Sequence, residues 1–417
     1  MQGTRPGQIR RLRASVVLLS HRHDFAGNGE DRSAPADTSQ ERGLRLLNGA
    51  ITRHAAIPVS AFEKQKQVFA RAFDILRQGI AARAFPGAGL TVVADGKLVA
   101  LRGMGRFTYD QAAPEVKPDT IFDLASVSKV VGTTAMAMLL YERGHLDLDV
   151  PVAGILPQFA RGDTRRQDVT VRMLLAHSSG LPAYVRLYRQ AHTRDELLKA
   201  ALAVPLEAGP DTQTKYSDIG FIILGAALGR IADEPLDSFC AREVFGPLGM
   251  HHTTYCPPAS LRTQIPPTQD DREFRQRIIQ GEVQDENASV LGGIAGHAGI
   301  FANASDLALF SHCMLQGGRP ILRPDTVELF SRRHGKSSRA LGWDTPSAPS
   351  QSGKYFSPRS FGHLGYTGAS LWIDPERHLA IVLLTNRTWP DTKAQLIKQV
   401  RPQFHDAVVE ALEAQGA

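Results

Sequence analysis

The sequence predicts an α/β protein of the α+β kind, in which an antiparallel sheet flanked by helices is joined to an all-helical lobe. Three observations carry that prediction. Residues 87–94 (GAGLTVVA), the turn Asp95-Gly96 and residues 97–101 read as a β-hairpin. Residues 369–373 and 379–385 are two apolar runs split by Asp374-Pro375-Glu376-Arg377, a second hairpin. Between the hairpins, from Phe122 to about Leu315, the apolar spacing is mostly helical. Strands at both ends of a chain leave bare edges unless they meet. One sheet assembled from both ends solves this. The middle of the chain then forms a second lobe, with a cleft between the two.

The elements follow in order. Residues 1–59 hold nine arginines, no lysine and five acids, so this tail carries +4 of the chain's formal +6. The solvated tail accounts for the basic balance, and the near-neutral body does not advertise a nucleic-acid surface. Residues 10–20 (RRLRASVVLLS) pair a basic flank with an apolar run. The run is short for a signal peptide and lacks a clean cleavage site, which leaves cytoplasmic and periplasmic locations open. Residues 20–50 have no hydrophobic period and read as linker or disorder. Ser60-Ala-Phe-Glu63 has the form of a capping box, opening a helix that carries Phe69, Phe73 and Leu76. Helical patterns recur at 130–143, 194–203 and 219–231, and an amphipathic helix at 392–412 closes the chain. Residues 335–356, rich in Ser, Gly and Pro, read as an irregular surface insertion. The expected division is a tail at 1–59 and one domain at 60–413. Its sheet lobe lies near 60–125 and 318–413, and its helical lobe near 126–317.

Several functions are excluded by pattern. Of 417 residues, 42% are hydrophobic and 22% charged, an ordinary globular balance. No run approaches the roughly 18 apolar residues of a membrane span. Cys240, Cys256 and Cys313 give neither a disulfide framework nor a zinc spacing, and read as buried or inert thiols. There is no H-E-x-x-H and no G-x-S-x-G. Gly335-Lys336-Ser337 lacks the upstream glycine of a phosphate loop, and Gly103-Met-Gly105 lacks the third glycine of a dinucleotide fingerprint. Nothing in the pattern sets an oligomeric state.

The informative segment is Ile121-Phe-Asp-Leu-Ala-Ser126-Val-Ser-Lys129. Ser126 and Lys129 are three apart, which places both side chains on one helical face. A serine hydroxyl is a poor nucleophile until a base takes its proton, and a lysine with a lowered pKa can be that base. The start of a helix adds backbone N–H groups suited to an oxyanion. Ser128 has no lysine three residues on and ranks lower. Taken alone, S-x-x-K is equally a capped helix with an outward lysine. Lys215-Tyr216-Ser217-Asp218 follows about 90 residues later, just before a helix. Tyr216 beside the cationic Lys215 could ionise more easily and shuttle a proton, with Asp218 facing the same cavity. Ser217 or Asp218 would also serve as the helix cap. Phe361-Gly-His363-Leu-Gly365-Tyr366-Thr-Gly368 leads into the last hairpin. Its glycines permit close backbone approach, and His363 offers a tunable positive or hydrogen-bonding group, although taken alone it reads as a partly exposed structural histidine.

The three elements in this order resemble the serine β-lactamase and penicillin-binding-protein superfamily. The chain is most similar to the class C β-lactamase-like branch, with its family VIII carboxylesterases, D-aminopeptidases and DD-peptidases. The resemblance covers about residues 61–413. Further stretches fit it: residues 176–182 (AHSSGLP), 244–250 (VFGPLGM), 296–299 (GHAG) and 371–375 (LWIDP). It implies a β-lactamase/transpeptidase-like fold, with Ser126 as the acylated nucleophile and Lys129 as its proton acceptor. Tyr216 would protonate the leaving group and activate the deacylating water. His363 and Gly365 would hold the K-T-G position, and the backbone N–H groups of Ser126 and Tyr366 would form the oxyanion hole. It implies a small-molecule ester, amide or β-lactam substrate and no metal or organic cofactor.

Two departures modify the expectation. Asp218 replaces the Asn of Y-x-N, which removes an amide donor and adds negative charge beside Lys129. Leu364 replaces the Thr of K-T-G, and His363 is at most partly charged at pH 7. Together these favour neutral esters or amides over efficient β-lactam turnover. The leading expectation is therefore a serine hydrolase working through an acyl-enzyme. The alternatives are a β-lactamase or a D-Ala-D-Ala carboxypeptidase or D-aminopeptidase proper, and a non-catalytic penicillin-binding-like sensor. The turn at His177-Ser178-Ser179-Gly180 is read as a helix terminator, and Asp285-Glu286-Asn287 as a solvated loop by default, with a metal or acid/base cluster or a position near the cleft as alternatives. Tyr184 and Tyr188 are read as lining either the cleft or the core.

Overall fold

The computed structural model describes residues 57, 64–335 and 337–416. The expectations for the rest of the tail, for the Ser60–Glu63 capping box and for Lys336 lie outside the described residues. In chain order the strands are β1 (Gly87–Ala94), β2 (Lys97–Gly105), β3 (Phe122–Asp123), β4 (Thr254–Tyr255), β5 (Gln269–Asp271), β6 (Arg277–Ile279), β7 (Ile300–Ala302), β8 (Phe361–Leu364), β9 (Ser370–Asp374) and β10 (Leu379–Thr385). The helices that frame them are α1 (Ala70–Ala81), α2 (Ala135–Glu142), α3 (Asp218–Ala232), α4 (Ala304–Leu315) and α5 (Ile397–Gly416).

The main sheet is antiparallel, in the order β2-β1-β10-β9-β8. β1 pairs with β10 from Ala88↔Thr385 to Ala94↔Leu379, so the two ends of the chain do meet at the sheet centre. On one face Leu90, Val92, Ile381 and Leu383 pack on Phe73 and Leu76 of α1 and on Phe404 and Val408 of α5. On the other lies α4, whose Leu307 joins Val93 and Val382 in the larger core. Cover on both faces explains why β1 and β10 are buried throughout and almost wholly apolar instead of alternating. Among the described residues no helix is long and apolar enough to cross a membrane.

The structure adds detail that the pattern missed. The helical middle also carries two small sheets, β3-β7-β4 and β5-β6, whose strands of two or three residues are too short to show a period. The last helix begins at Ile397 and not at Thr392; the carbonyls of Thr392 and Ala394 before it are held by Arg387. Residues 335–356 are not a surface insertion. Ala340, Leu341, Trp343, Thr345 and Phe356 are buried, and Asp344 bridges to Gly362 at the edge of the main sheet. Cys240 and Cys313 are buried as expected, whereas Cys256 is exposed.

Candidate active site

The segment that carries Ser126 is set by a kink. Asp123 ends β3, and its carboxylate accepts from Ala125 N–H (2.8 Å) and Gln284 N–H (2.7 Å). Ala125 sits at φ 45°, a left-handed conformation that a non-glycine residue keeps only when its surroundings enforce it. Burial pushes the Asp123 carboxyl up to about 6, against those two N–H groups. The chain then enters a short 3-10 turn, Ala125–Val127, and a π-turn, Lys129–Thr134. Ser126 and Lys129 share one side as expected, with Nζ 2.9 Å from Oγ. Lys129 is fully buried and also donates to Asp218 Oδ1 (2.6 Å) and to the His297 carbonyl (3.0 Å). Burial lowers its pKa, and the Asp218 carboxylate opposes that. Ser128 is spent elsewhere, accepting from Ile300 N–H at 3.0 Å.

Tyr216 arrives on the loop before α3. Ser217 caps that helix, accepting from Gly220 N–H (2.9 Å) and donating to the Pro182 carbonyl (2.6 Å). Tyr216 Oη lies 2.9 Å from Ser126 Oγ and 3.0 Å from Asp218 Oδ1. Burial, reinforced by Asp218, holds the phenol pKa well above its ordinary value. The expected influence of Lys215 is not found, since Lys215 turns away to pair with Glu207. The cations beside the ring are Lys129 (Nζ 5.0 Å from the centroid) and Arg339 (Cζ 5.2 Å). His177, read from sequence only as a turn, is a clamp. Its ring packs 4.8 Å from that of Tyr216, and Nδ1 accepts from Ser217 N–H at 3.0 Å.

The third segment is β8 and the turn behind it. A Cβ on Gly365 would stand 2.5 Å from the Leu124 carbonyl, so only glycine lets the turn approach the Ser126 segment. The next three carbonyls each meet a side-chain donor. Arg387 Nε takes Tyr366 O (2.7 Å), Thr385 Oγ1 takes Thr367 O (2.9 Å) and the Arg401 guanidinium takes Gly368 O (2.9 Å). Thr367 Oγ1 ties the turn to the Asp123 carbonyl (2.8 Å). Tyr366 N–H makes no hydrogen bond with a described residue. His363 departs from the expectation of a tunable charge. It is buried, its Nδ1 faces the Leu364 carbonyl at 2.8 Å, and burial holds its pKa well below the ordinary value, so it is neutral at pH 7.

The acidic stretch at 285–287 is not a solvated loop. Asp285 caps the short helix Glu286–Val290 through Ala288 N–H (2.7 Å), and its carboxylate lies 2.8 Å from His297 Nε2. Burial works against its ionisation, but His297 and the cap hold its pKa below the usual value. Asp285 thereby anchors the residue whose carbonyl receives Lys129. Asn287 is buried and bonds the backbone of Tyr188 (3.0 Å) and Val185 (2.9 Å). Tyr188 is core, packed on Phe274, whereas Tyr184 is exposed with Oη 3.4 Å from Glu286. Three residues escaped the sequence reading in their roles: His177, Arg339 and His297. Each reaches the site across a long sequence separation; the stretches at 176–182 and 296–299 offered a signal for His177 and His297, and nothing did for Arg339. Among the described residues, no group of three His, Cys, Asp or Glu side chains is arranged to hold a metal ion.

Comparison with known proteins identifies the family and the fold. The beta-lactamase family profile matches residues 72–402. A Bacillus subtilis (strain 168) protein named "N-acetylmuramyl-L-alanine amidase" is 31% identical over 355 residues, covering 75% of this chain and 80% of that one. An Escherichia coli (strain K12) protein named "Putative D-alanyl-D-alanine carboxypeptidase" is 29% identical, over 73% of this chain and 79% of that one. The solved structure of EstCE1, a hydrolase with promiscuous acyltransferase activity, shares the fold. It has a TM-score of 0.68 at 23% identity and covers 82% of this chain and 99% of that one. The chain belongs to the beta-lactamase family and is a serine hydrolase.

Proposed function

We propose that the domain at 60–413 hydrolyses ester or amide bonds through an acyl-enzyme formed on Ser126. One observation carries the reading: Ser126 Oγ is held between Lys129 Nζ and Tyr216 Oη, each 2.9 Å away. The two groups take the serine proton as Oγ attacks the carbonyl and return it to the leaving group. The oxygen of the tetrahedral intermediate is received by the backbone N–H groups of Ser126 and Tyr366, the second held in place by the carbonyl contacts of its turn. Water then repeats the cycle to release the acid. Asp218, His363 and Gly365 shape the walls around these groups.

Replacing Ser126 with Ala is expected to lower turnover of p-nitrophenyl acetate by about 10³-fold or more while the thermal unfolding midpoint holds. Intact-mass measurement with a fluorophosphonate is expected to show one adduct on the wild type and none on the variant. An adduct with no turnover of any substrate would instead support the non-catalytic sensor. A second reading, hydrolysis of peptide amides, is favoured by the relatives named as an amidase and as a carboxypeptidase. A panel of short esters, nitrocefin, a D-amino-acid amide and a D-Ala-D-Ala peptide separates the two. Carboxylate-bearing substrates belong in that panel because Arg339 places a cation beside Tyr216.

A further inference from the structure

Asp218, one of the two departures from the family pattern, bonds both Lys129 and Tyr216. Asp218 Oδ1 lies 2.6 Å from Lys129 Nζ and 3.0 Å from Tyr216 Oη. A carboxylate only accepts, so both groups donate a hydrogen bond to it. Three acceptors at 2.6–3.0 Å around Lys129 Nζ (Ser126 Oγ, Asp218 Oδ1 and the His297 carbonyl) match the three protons of an ammonium. With Lys129 in that state the remaining hydrogens have one placement. The phenol has one proton, and the charged acceptor claims it. Tyr216 Oη then presents a lone pair to Ser126 Oγ, and the serine hydroxyl donates to it. The chain of donors runs from Lys129 to Ser126 to Tyr216 and ends on Asp218. An asparagine at 218 could not end it, because an amide oxygen does not take up a proton at neutral pH.

We propose that Asp218 is the terminal acceptor of the serine proton, with Tyr216 as the relay and Lys129 an ammonium throughout. The proposal rests on the acyl-enzyme reading above and moves the acceptor role from Lys129 to Asp218. As the Ser126 Oγ–carbon bond forms, the Oγ–H bond breaks and its proton passes to Tyr216 Oη. The phenol's own proton passes to Asp218 Oδ1, and the carbonyl electron pair moves to the oxyanion. On collapse Asp218 returns a proton to Tyr216. Tyr216 protonates the leaving nitrogen or oxygen, which departs with the bonding pair. The same shuttle serves water in deacylation, so water is the sole co-reactant. The charges around Asp218 are defined. Lys129 faces it from the Ser126 segment, Tyr216 from its own loop and Tyr184 from the loop after Pro182, while Arg339 lies over the Tyr216 ring. Asp285 faces Lys129 from behind while paired with His297. His177 and His363, both buried, are neutral.

The pH dependence of kcat/KM on p-nitrophenyl acetate tests this with opposite signs. If Asp218 is the acceptor, Asp218→Asn loses at least tenfold at pH 6. Its acidic limb moves toward alkaline pH by a unit or more, because Lys129 must now shed a proton first. Asp218→Glu, which keeps a carboxylate, retains an acidic limb near that of the wild type. If the Lys129 amine is the base instead, removing the carboxylate destabilises the ammonium and the limb moves toward acid. That movement, or an unmoved limb, overturns the proposal. Should Asp218→Asn fail to fold, Tyr216→Phe carries the same test. With the relay cut, the limb must move toward alkaline pH, and a stationary limb again overturns it. Turnover surviving Ser126→Ala would refute the acyl-enzyme reading itself, a result distinct from any limb position.

Discussion

The two sides of Ser126 are built on opposite principles. On the side of the proposed oxyanion hole, the turn 365–368 is gripped by Thr385 and by two arginines that have no carboxylate partner among the described residues. Arg387 spends its guanidinium on the carbonyls of Tyr366, Thr392 and Ala394. Arg401 spends its on Gly368 and the Gln351 side chain. Burial lowers the pKa of both, that of Arg401 to about 9. On the proton side, Ser126, Tyr216 and Asp218 are joined by hydrogen bonds along which a proton can pass, and Lys129 donates to both ends of that line. One side fixes geometry with donors that do not move, and the other keeps its hydrogens transferable. Acyl transfer needs both, since a preorganised hole is useful only if its N–H groups stay put.

The largest effect expected from breaking this arrangement lies on the proton side. Lys129→Met removes the cation that donates to Ser126 and leaves Asp218 unpaired. Turnover should fall by about 10³-fold, with a loss of stability of about 3 kcal/mol from the stranded carboxylate. Steady-state kinetics and urea unfolding check both, and retained turnover would show that the ammonium is dispensable. The oxyanion side should break differently. Arg401→Met is expected to lower kcat by about 10²-fold while KM moves less than about threefold, and Arg401→Lys to recover part of the loss. Equal changes in kcat and KM would mean that Arg401 supports the fold alone.

Asp123 joins the two sides, holding Ala125 with its carboxylate and Thr367 with its carbonyl. Its folded-state pKa is raised to about 6, so its contribution to stability is full below the ordinary carboxylate range and is lost as pH rises through about 6. Asp123→Asn stays neutral throughout. The stability of the wild type relative to this variant should therefore increase on going from pH 7 to pH 4, by about 3 kcal/mol in the full range. Paired thermal unfolding curves measure it, and a flat difference would show that Asp123 does not titrate there. The smallest effect is a control on the same comparison. Lys215 and Glu207 are about half exposed and remote from the proton chain, so Lys215→Ala should change stability by less than about 0.5 kcal/mol and turnover by less than about twofold. A larger loss of activity would restore Lys215 as a tuner of Tyr216.

Local pattern was informative wherever a feature is complete within a few residues. Ser126 and Lys129 meet because a helical turn brings residues three apart together, and Ser217 caps α3 because its hydroxyl reaches its own third neighbour. Both hairpins of the main sheet follow from apolar runs interrupted by turn residues. Burial was not readable in this way. The sequence reading kept His363 as a tunable charge and Asp285 in a solvated loop, yet both are enclosed by segments far along the chain. His177 looks like any turn residue until Tyr216 packs on it.

What the sequence by itself determined is therefore the cast and the scaffold: the S-x-x-K pair, the tyrosine, the glycine turn, and a sheet closed from both chain ends. Side-chain period and turn chemistry encode these, because they act over short separations. Only the tertiary structure decided the protonation chemistry. It set Asp218 against both Lys129 and Tyr216, silenced His363, turned Lys215 outward and placed Arg339 over the Tyr216 ring. The reason is electrostatic. A group's charge depends on its burial and on the charges a few ångströms away, and those neighbours come from parts of the chain that only folding brings together.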